Sequence, residues 1–285
     1  MFKLITWNIQ WCRGCDGRVD PRRIAAHARA LADFDILCLQ EVARNFPQLQ
    51  GSSGEDQFAM LAAELPEYTA IEGVATDLLA ADGSRRHFGN MIFSRLPVRQ
   101  VFRHLLPWPA QAGVDSMQRI ALEVVVDGPA GPLRVITTHL EYYSALQRAA
   151  QVERLRELHA EDCAHARTVP VNPNAEGPFA TSPRPASAIL TADFNFRGDD
   201  PLHERISAPF ANGTPAFRDA WQTRYPGVVQ PDTLGVHDRA QWGDEHYCCD
   251  FIYVTEDLAP QLAEVRVDSE TTASDHQPVM LALER

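Results

Sequence analysis

Lysine is almost missing from this sequence: Lys3 is the only one among 26 basic residues. Nearly all positive charge therefore sits on arginine, whose planar fork suits paired contacts to phosphate oxygens, though a skewed base composition gives the same bias. A basic surplus is also missing. The 38 acidic residues leave a net charge of -12, which excludes a protein that coats long nucleic acid through a basic surface but not a small phosphate site. No run approaches the roughly 18 uncharged apolar residues of a membrane span. Phe2 to Asn8 is a short apolar segment without a signal peptide's basic leader or small-residue cleavage site, so a cytoplasmic protein is expected. Cys12, Cys15, Cys38, Cys163, Cys248 and Cys249 form no disulfide framework in a chain of 285 residues, and reduced thiols are expected.

What is present is an ordinary globular balance, 45% apolar and 22% charged, which excludes disorder and fibrous repeats as descriptions of the whole chain. Residues 2 to 7 and 35 to 39 read as buried strands. Between them lies a helix that Asp20 caps, Pro21 opens, and Ile24, Ala28, Leu31 and Ala32 stripe on one face. A second helical pattern (Phe58, Leu61, Ala62, Leu65) stops at Pro66. Strands are expected at 68–73, 88–94, 98–105, 118–126 and 133–139, then an amphipathic helix at 145–162. Five prolines between Thr168 and Ser187 predict an exposed loop at 168–187, and strands return at 187–192, 248–254, 262–268 and 278–283. The expected fold class is α/β: two packed mixed β-sheets flanked by helices, a four-layer sandwich, forming one domain over residues 1–285.

Polar residues gather where apolar strands end. Asn8 follows the first strand, Glu41 the second and His139 the strand at 133–139; Asp193 and Asn195 follow 187–192, Asp250 precedes Phe251-Ile252-Tyr253-Val254, and Asp275-His276 precede the last strand. Singly, each reads as a turn residue. Together they offer carboxylates, amides and imidazoles, an oxygen-rich set suited to magnesium or manganese with imidazoles for proton transfer. Asp219 reads as the cap of the turn before Trp221. Trp11-Cys12-Arg13-Gly14-Cys15 has the spacing of a redox dithiol but sits in the loop after a strand, where coincidence is the better reading. Cys248 and Cys249 are adjacent, a poor spacing for zinc.

Thr6-Trp7-Asn8, Leu39-Gln40-Glu41-Val42, Gly89-Asn90-Met91-Ile92-Phe93-Ser94-Arg95, Thr138-His139-Leu140, Ala192-Asp193-Phe194-Asn195, Asp250-Phe251-Ile252-Tyr253 and Ser274-Asp275-His276-Gln277-Pro278-Val279 resemble, in order, the signatures of the endonuclease/exonuclease/phosphatase superfamily. The resemblance implies a two-sheet sandwich and metal-dependent cleavage of a phosphoester. By position it implies that Glu41 binds Mg2+ or Mn2+ with Asn8 and Asp275 close to the same ion. Asp193 and Asn195 would orient the attacking water and the phosphate. His276 would sit at the scissile phosphate, oriented by Asp250, and either that pair or Asp193 would take the water's proton. His139 resembles the second histidine of the deoxyribonuclease and sphingomyelinase branches, where abasic-site endonucleases carry a tyrosine. Asn90 and Arg119 would touch the phosphate, or else hold a turn and a surface ion pair. Thr138-His139-Leu140-Glu141 with Arg148 and Gln151 is similar to the tyrosyl-DNA phosphodiesterase branch.

The leading expectation is a monomeric phosphodiesterase of nuclease type, and the acidic balance favours a small or single-stranded substrate over long duplex. The alternatives are a phosphomonoesterase or phospholipid diesterase, and a binding scaffold without catalysis. A scaffold would tolerate losing a site residue, whereas here every expected position is filled.

Overall fold

A computed structural model describes residues 1–168, 172, 174–180, 182 and 184–284. In chain order its strands are β1 (Phe2–Asn8), β2 (Ile36–Arg44), β3 (Thr69–Leu79), β4 (Arg85–Ser94), β5 (Val98–Leu105), β6 (Ile120–Gly128), β7 (Gly131–His139), β8 (Ala188–Asp193), β9 (Phe217–Asp219), β10 (Asp250–Thr255), β11 (Leu262–Val267) and β12 (Val279–Leu283). The helices are α1 (Pro21–Leu31), α2 (Gln57–Glu64), α3 (Ala145–Arg167), α4 (Pro201–Ser207), α5 (Ala220–Arg224) and α6 (Arg239–Trp242).

The strands form two six-stranded sheets, ordered β11-β12-β1-β2-β4-β3 and β5-β6-β7-β8-β10-β9. Each is antiparallel except for one inner parallel pair, β1 with β2 and β7 with β8. Those pairs are the ones joined by helical crossovers, through α1 and α3, because a parallel partner cannot be reached by a tight turn. Leu4, Ile36 and Cys38 of the first sheet pack with Leu122, Val135 and Ile189 of the second in one inner core. The alternate residues Ile5, Trp7, Leu37 and Leu39 turn outward under α1 and α2, and Ile136 and Leu190 do so under α3 and α4. The result is the four-layer sandwich that the sequence implied.

Local signals worked where the chain is strongly patterned. The Asp20 side chain accepts the Arg22 N–H at 3.0 Å to cap α1, and Asp219 caps α5 by accepting from Gln222. Under α3, Arg134 is wholly buried and its guanidinium donates to Asp162 and His159, both at 2.6 Å, and to the Pro185 carbonyl at 2.7 Å. That last bond ties down the end of the proline-rich segment. Within the expected loop at 168–187, residues 169–171, 173, 181 and 183 lie outside the described residues; the described positions 174 and 176–180 are exposed and include a short turn at Gly177–Phe179.

Several boundaries differ from the sequence reading. The strand expected at 68–73 runs on to Leu79 and the one expected at 88–94 begins at Arg85, together forming a hairpin that projects beyond the sheet. Its outer half carries polar residues on both faces, so it lacks the alternation that marks a strand half-covered by a core. The hairpin also holds an irregularity between Val74 and Thr76, and Gly89 fits there because a Cβ would lie 2.0 Å from the Gly73 carbonyl oxygen. The strand expected at 248–254 starts at Asp250, and β9, α4, α5 and α6 are too short to show a period. Among the described residues no helix is long and apolar enough to cross a membrane.

Candidate active site

The two parallel pairs end side by side, and their registers assemble the polar residues. Asn8 closes β1 opposite Gln40 of β2, while His139, Asp193 and Asp250 lie abreast on β7, β8 and β10. Just beyond Gln40 the β2–β4 ladder slips between Leu39 and Val42, leaving Glu41 in a left-handed conformation at φ 62°. The bulge takes Glu41 out of the strand's pleat, at a cost of order 1 kcal/mol for a residue with a Cβ. Asn195 (φ 52°) bends the chain after β8 in the same way, a conformation asparagine tolerates. Gln10, Trp11 and Cys12 form a left-handed turn after β1, with φ of 42°, 43° and 62°.

Asp193 is the hub. Its Oδ2 accepts the Asn8 amide at 2.9 Å and faces the Nε2 atoms of His139 at 3.5 Å and His276 at 3.6 Å. Its Oδ1 accepts the Asn195 backbone N–H at 2.9 Å. The Asn8 amide also donates to Glu41 at 3.1 Å, and His139 Nδ1 lies 3.9 Å from Glu41. On the far side His276 Nδ1 donates to Asp250 Oδ2 at 2.9 Å, and the Thr233 hydroxyl donates to the same oxygen at 2.6 Å. Asp275 is held by three donors on one oxygen: Gln10 Nε2 at 2.8 Å, Trp242 Nε1 at 3.0 Å and Gln241 Nε2 at 3.2 Å. Behind them a buried Arg13–Asp238 ion pair at 3.1 Å shares the Gln10 and Gln241 carbonyls.

Burial and like charge set the electrostatics. Burial first, then the nearby Asp275, raises the Glu41 carboxyl to about 7, despite the Asn8 hydrogen bond. Burial likewise raises Asp193 and Asp275, partly offset by His276. For His276 burial alone would lower the pKa, but Asp250 and Asp193 overcome it and hold the ring as an imidazolium well above its ordinary value. His139 goes the other way: burial, then the Arg119 and His276 charges, push it well down.

This donor set fits a hard divalent cation. Glu41, Asp193 and Asp275 bring carboxylate oxygens, the donors such an ion takes, to the lining of one cleft, where burial raises all three. Asn8 presents its NH2 group rather than its carbonyl to Glu41, because Oδ1 accepts the Gln10 N–H at 3.0 Å, so in this arrangement it orients the carboxylate. Asp193, Cys249 and His276 also bring three potential ligand atoms within 4.8 Å of one another. Burial keeps the Cys249 thiol protonated, however, and it points to Asp250 at 3.6 Å.

Glu41, Asp193, Asn195, Asp275, His139, His276 and Arg119 all line one cleft of about 490 Å³. Arg119 bonds Glu141 at 3.3 Å, and its buried Nη1 has no partner among the described residues. Asn90 does not line the cleft; its amide donates to the Ile120 carbonyl at 3.1 Å and links the two sheets. Glu141 and Gln151 do meet, the Glu141 N–H donating to Gln151 at 2.9 Å, and Arg148 donates to the Glu141 carbonyl. The sequence reading missed Gln10, Thr233, Gln241 and Trp242. Gln10 stands two places from Asn8, but the other three lie on segments with no strand or motif to single them out. Burial raises the Cys12 and Cys15 thiols, Cys15 to about 11, the reverse of what a reactive dithiol needs. A larger cavity of about 790 Å³ beside Trp221, Val228 and Cys248 is lined by none of the converging residues.

The model of the Endonuclease/Exonuclease/phosphatase family matches residues 5–276, from within β1 to the histidine beside Asp193. The chain belongs to this family. Its members are generally phosphoester hydrolases, and the family generally uses divalent metal ions. An endonuclease/exonuclease/phosphatase from Beutenbergia cavernae is 25% identical over 98% of this chain and 70% of its own, with a TM-score of 0.63. A mannosyl-6-phosphatase from Bacteroides thetaiotaomicron is 16% identical over the whole of both chains (TM-score 0.68). TDP2 of D. rerio, solved with a single-strand DNA product, is 17% identical over 100% of this chain and 99% of its own (TM-score 0.64). No curated protein matches the sequence. At identities this low the last two likenesses extend to the fold, not to the substrate.

Proposed function

We propose that this family member hydrolyses a phosphodiester with Mg2+ or Mn2+. The observation that carries the reading is the convergence of two imidazoles and an amide on Asp193 Oδ2, beside Glu41, at the floor of one cleft.

Glu41 and Asp275 would hold the cation, and Asn8 fixes the Glu41 carboxylate. When bound, the cation neutralises charge on the non-bridging oxygens and stabilises the leaving oxygen. The imidazolium of His276, steadied by Asp250 and Thr233, offers its Nε2–H to the phosphate. A ring already protonated accepts no proton, so Asp193 takes the proton of the attacking water, with Asn195 fixing its other oxygen. Neutral His139 faces the same space, and the free Arg119 Nη1 suits a phosphate oxygen.

Hydrolysis of bis(p-nitrophenyl) phosphate tests the reading. EDTA should abolish turnover and Mg2+ or Mn2+ restore it. Glu41→Gln should regain part of its activity in excess cation, whereas Asp250→Asn, which leaves His276 misheld, should not. Activity surviving exhaustive chelation would overturn the cation's role, and turnover of a phosphomonoester alone would make the protein a phosphatase.

A further inference from the structure

Asp275 is 3% exposed, and its two oxygens stand in unequal surroundings. Oδ2 takes three N–H donors, from Gln10, Trp242 and Gln241 at 2.8, 3.0 and 3.2 Å. Among the described residues Oδ1 meets only the Ser274 hydroxyl at 3.3 Å, and that hydroxyl gives its proton to the Asn8 carbonyl at 2.8 Å. An oxygen whose lone pairs already serve three donors has none left for an ion, so a cation at Asp275 can be met by Oδ1 alone. The donors are not free to turn. Arg13 Nη1 stands 2.9 Å from Gln10 Oε1, 3.0 Å from Gln241 Oε1 and 3.1 Å from Asp238. A guanidinium only donates, so both glutamines must show it their oxygens, which leaves both NH2 groups to face Asp275. The left-handed backbone at Gln10 (φ 42°) brings one amide to this point after β1. Asp238, which caps α6 by accepting the Gln241 N–H at 3.1 Å, fixes the other. Arg13 and Asp238 are both buried, so the frame is rigid although Gln241 itself is exposed.

Resting on the proposed cation site, we infer that Gln10, Gln241 and Trp242, aligned by the Arg13–Asp238 pair, are positioning residues that hold Asp275 as a one-oxygen ligand and so set the affinity for the cation. A fixed single oxygen suits the octahedral preference of Mg2+. Outer groups that orient a ligating side chain are typically worth about 10–100-fold in metal affinity.

The electron paramagnetic resonance signal of free Mn2+ measures binding without turnover. Trp242→Phe and Gln241→Met each remove one donor at a half-buried or exposed position, which leaves the core untouched, and each should weaken Mn2+ binding by about tenfold. Arg239→Ala, also on α6 but with its side chain on Gly243 and Asp244, should leave the affinity unchanged. In hydrolysis of bis(p-nitrophenyl) phosphate the Mn2+ concentration for half-maximal rate should rise by the same factor in the two donor variants, with kcat at saturating Mn2+ moving less. A merely loosened site would lose kcat at every concentration. Native affinity in both donor variants, or an equal loss in Arg239→Ala, overturns the inference. If Glu41→Gln alone then weakens Mn2+, the cation site survives that failure; if no variant changes the affinity, both readings fall. Weakening in the donor variants without any in Glu41→Gln keeps the inference and removes Glu41 from the ligands.

Discussion

His276 and His139 are buried to the same degree, 5% and 6% exposed, yet they are driven to opposite charge states. The difference lies in the neighbours. Both rings face Asp193, but His276 also donates to Asp250, whereas His139 has Arg119 and His276 nearby and leaves Nδ1 without a hydrogen bond among the described residues. His276→Ala should therefore remove on the order of 10²–10⁴ from kcat with the cation dependence nearly unchanged. A near-normal kcat in that variant would dismiss His276 from the chemistry. Glu41 makes a separate pH prediction. On the proposed reading it binds a cation as the anion, and its carboxyl is raised to about 7, so apparent cation affinity should climb as pH rises through that value and weaken about tenfold per unit below it. Cation titrations of kcat at pH 6 and pH 8 measure this, and equal affinities would show that Glu41 is not a ligand.

Elements were legible where burial imposes a period. The strand at 2–7 could be read because both its faces meet a core and leave an apolar run, and the Asp20–Pro21 start of α1 and the long α3 because one face of each helix does. So could the positions of Asn8, His139 and Asp193, since a strand's end is visible in sequence, whereas Glu41, read as following the second strand, sits at a bulge inside β2, which runs on to Arg44. The β3–β4 hairpin was not, because its outer half is solvated on both sides, nor were the partners Thr233, Gln241 and Trp242, which reach the site by tertiary contact alone. The same contacts beneath α3 yield a stability prediction. His159 accepts from Arg134 at Nδ1 and donates to the Pro215 carbonyl from Nε2, which fixes it neutral, and burial, then the Arg134 charge, lowers its pKa to about 4. The folded state thus resists a proton that the unfolded chain accepts near 6.5. This contribution is whole above that pH and is lost as pH falls toward 4, on the order of 3 kcal/mol over the interval. Urea midpoints at pH 7.5 and 5 should fall more steeply for the native chain than for His159→Gln; parallel slopes would show that the ring does not resist protonation.

At the scale of the molecule, a net charge of -12 and a cluster of buried carboxylates act in the same direction. Self-repulsion loosens the folded state as pH rises, and Glu41, Asp193 and Asp275 all have their pKa values raised in the fold above those of the unfolded chain. With folded pKa values above the unfolded ones, their contribution is complete below the ordinary carboxylate range. It disappears as pH climbs through the raised values, about 7 for Glu41. On the proposed reading a divalent cation at the cleft floor would reverse that loss by binding the ionised, folded form alone. At a hundred times its dissociation constant it stabilises by about 2.7 kcal/mol, enough to raise Tm by several degrees. The rise should be clear at pH 8, small at pH 5.5 where protons occupy the same carboxylates, and largely absent in Glu41→Gln at either pH. Differential scanning calorimetry with and without Mg2+ or Mn2+ isolates this difference from every group that titrates elsewhere. A rise of equal size at both pH values, or one that Glu41→Gln keeps in full, would mean that the cation binds the acidic surface and that the cluster of Glu41, Asp193 and Asp275 is built for something else.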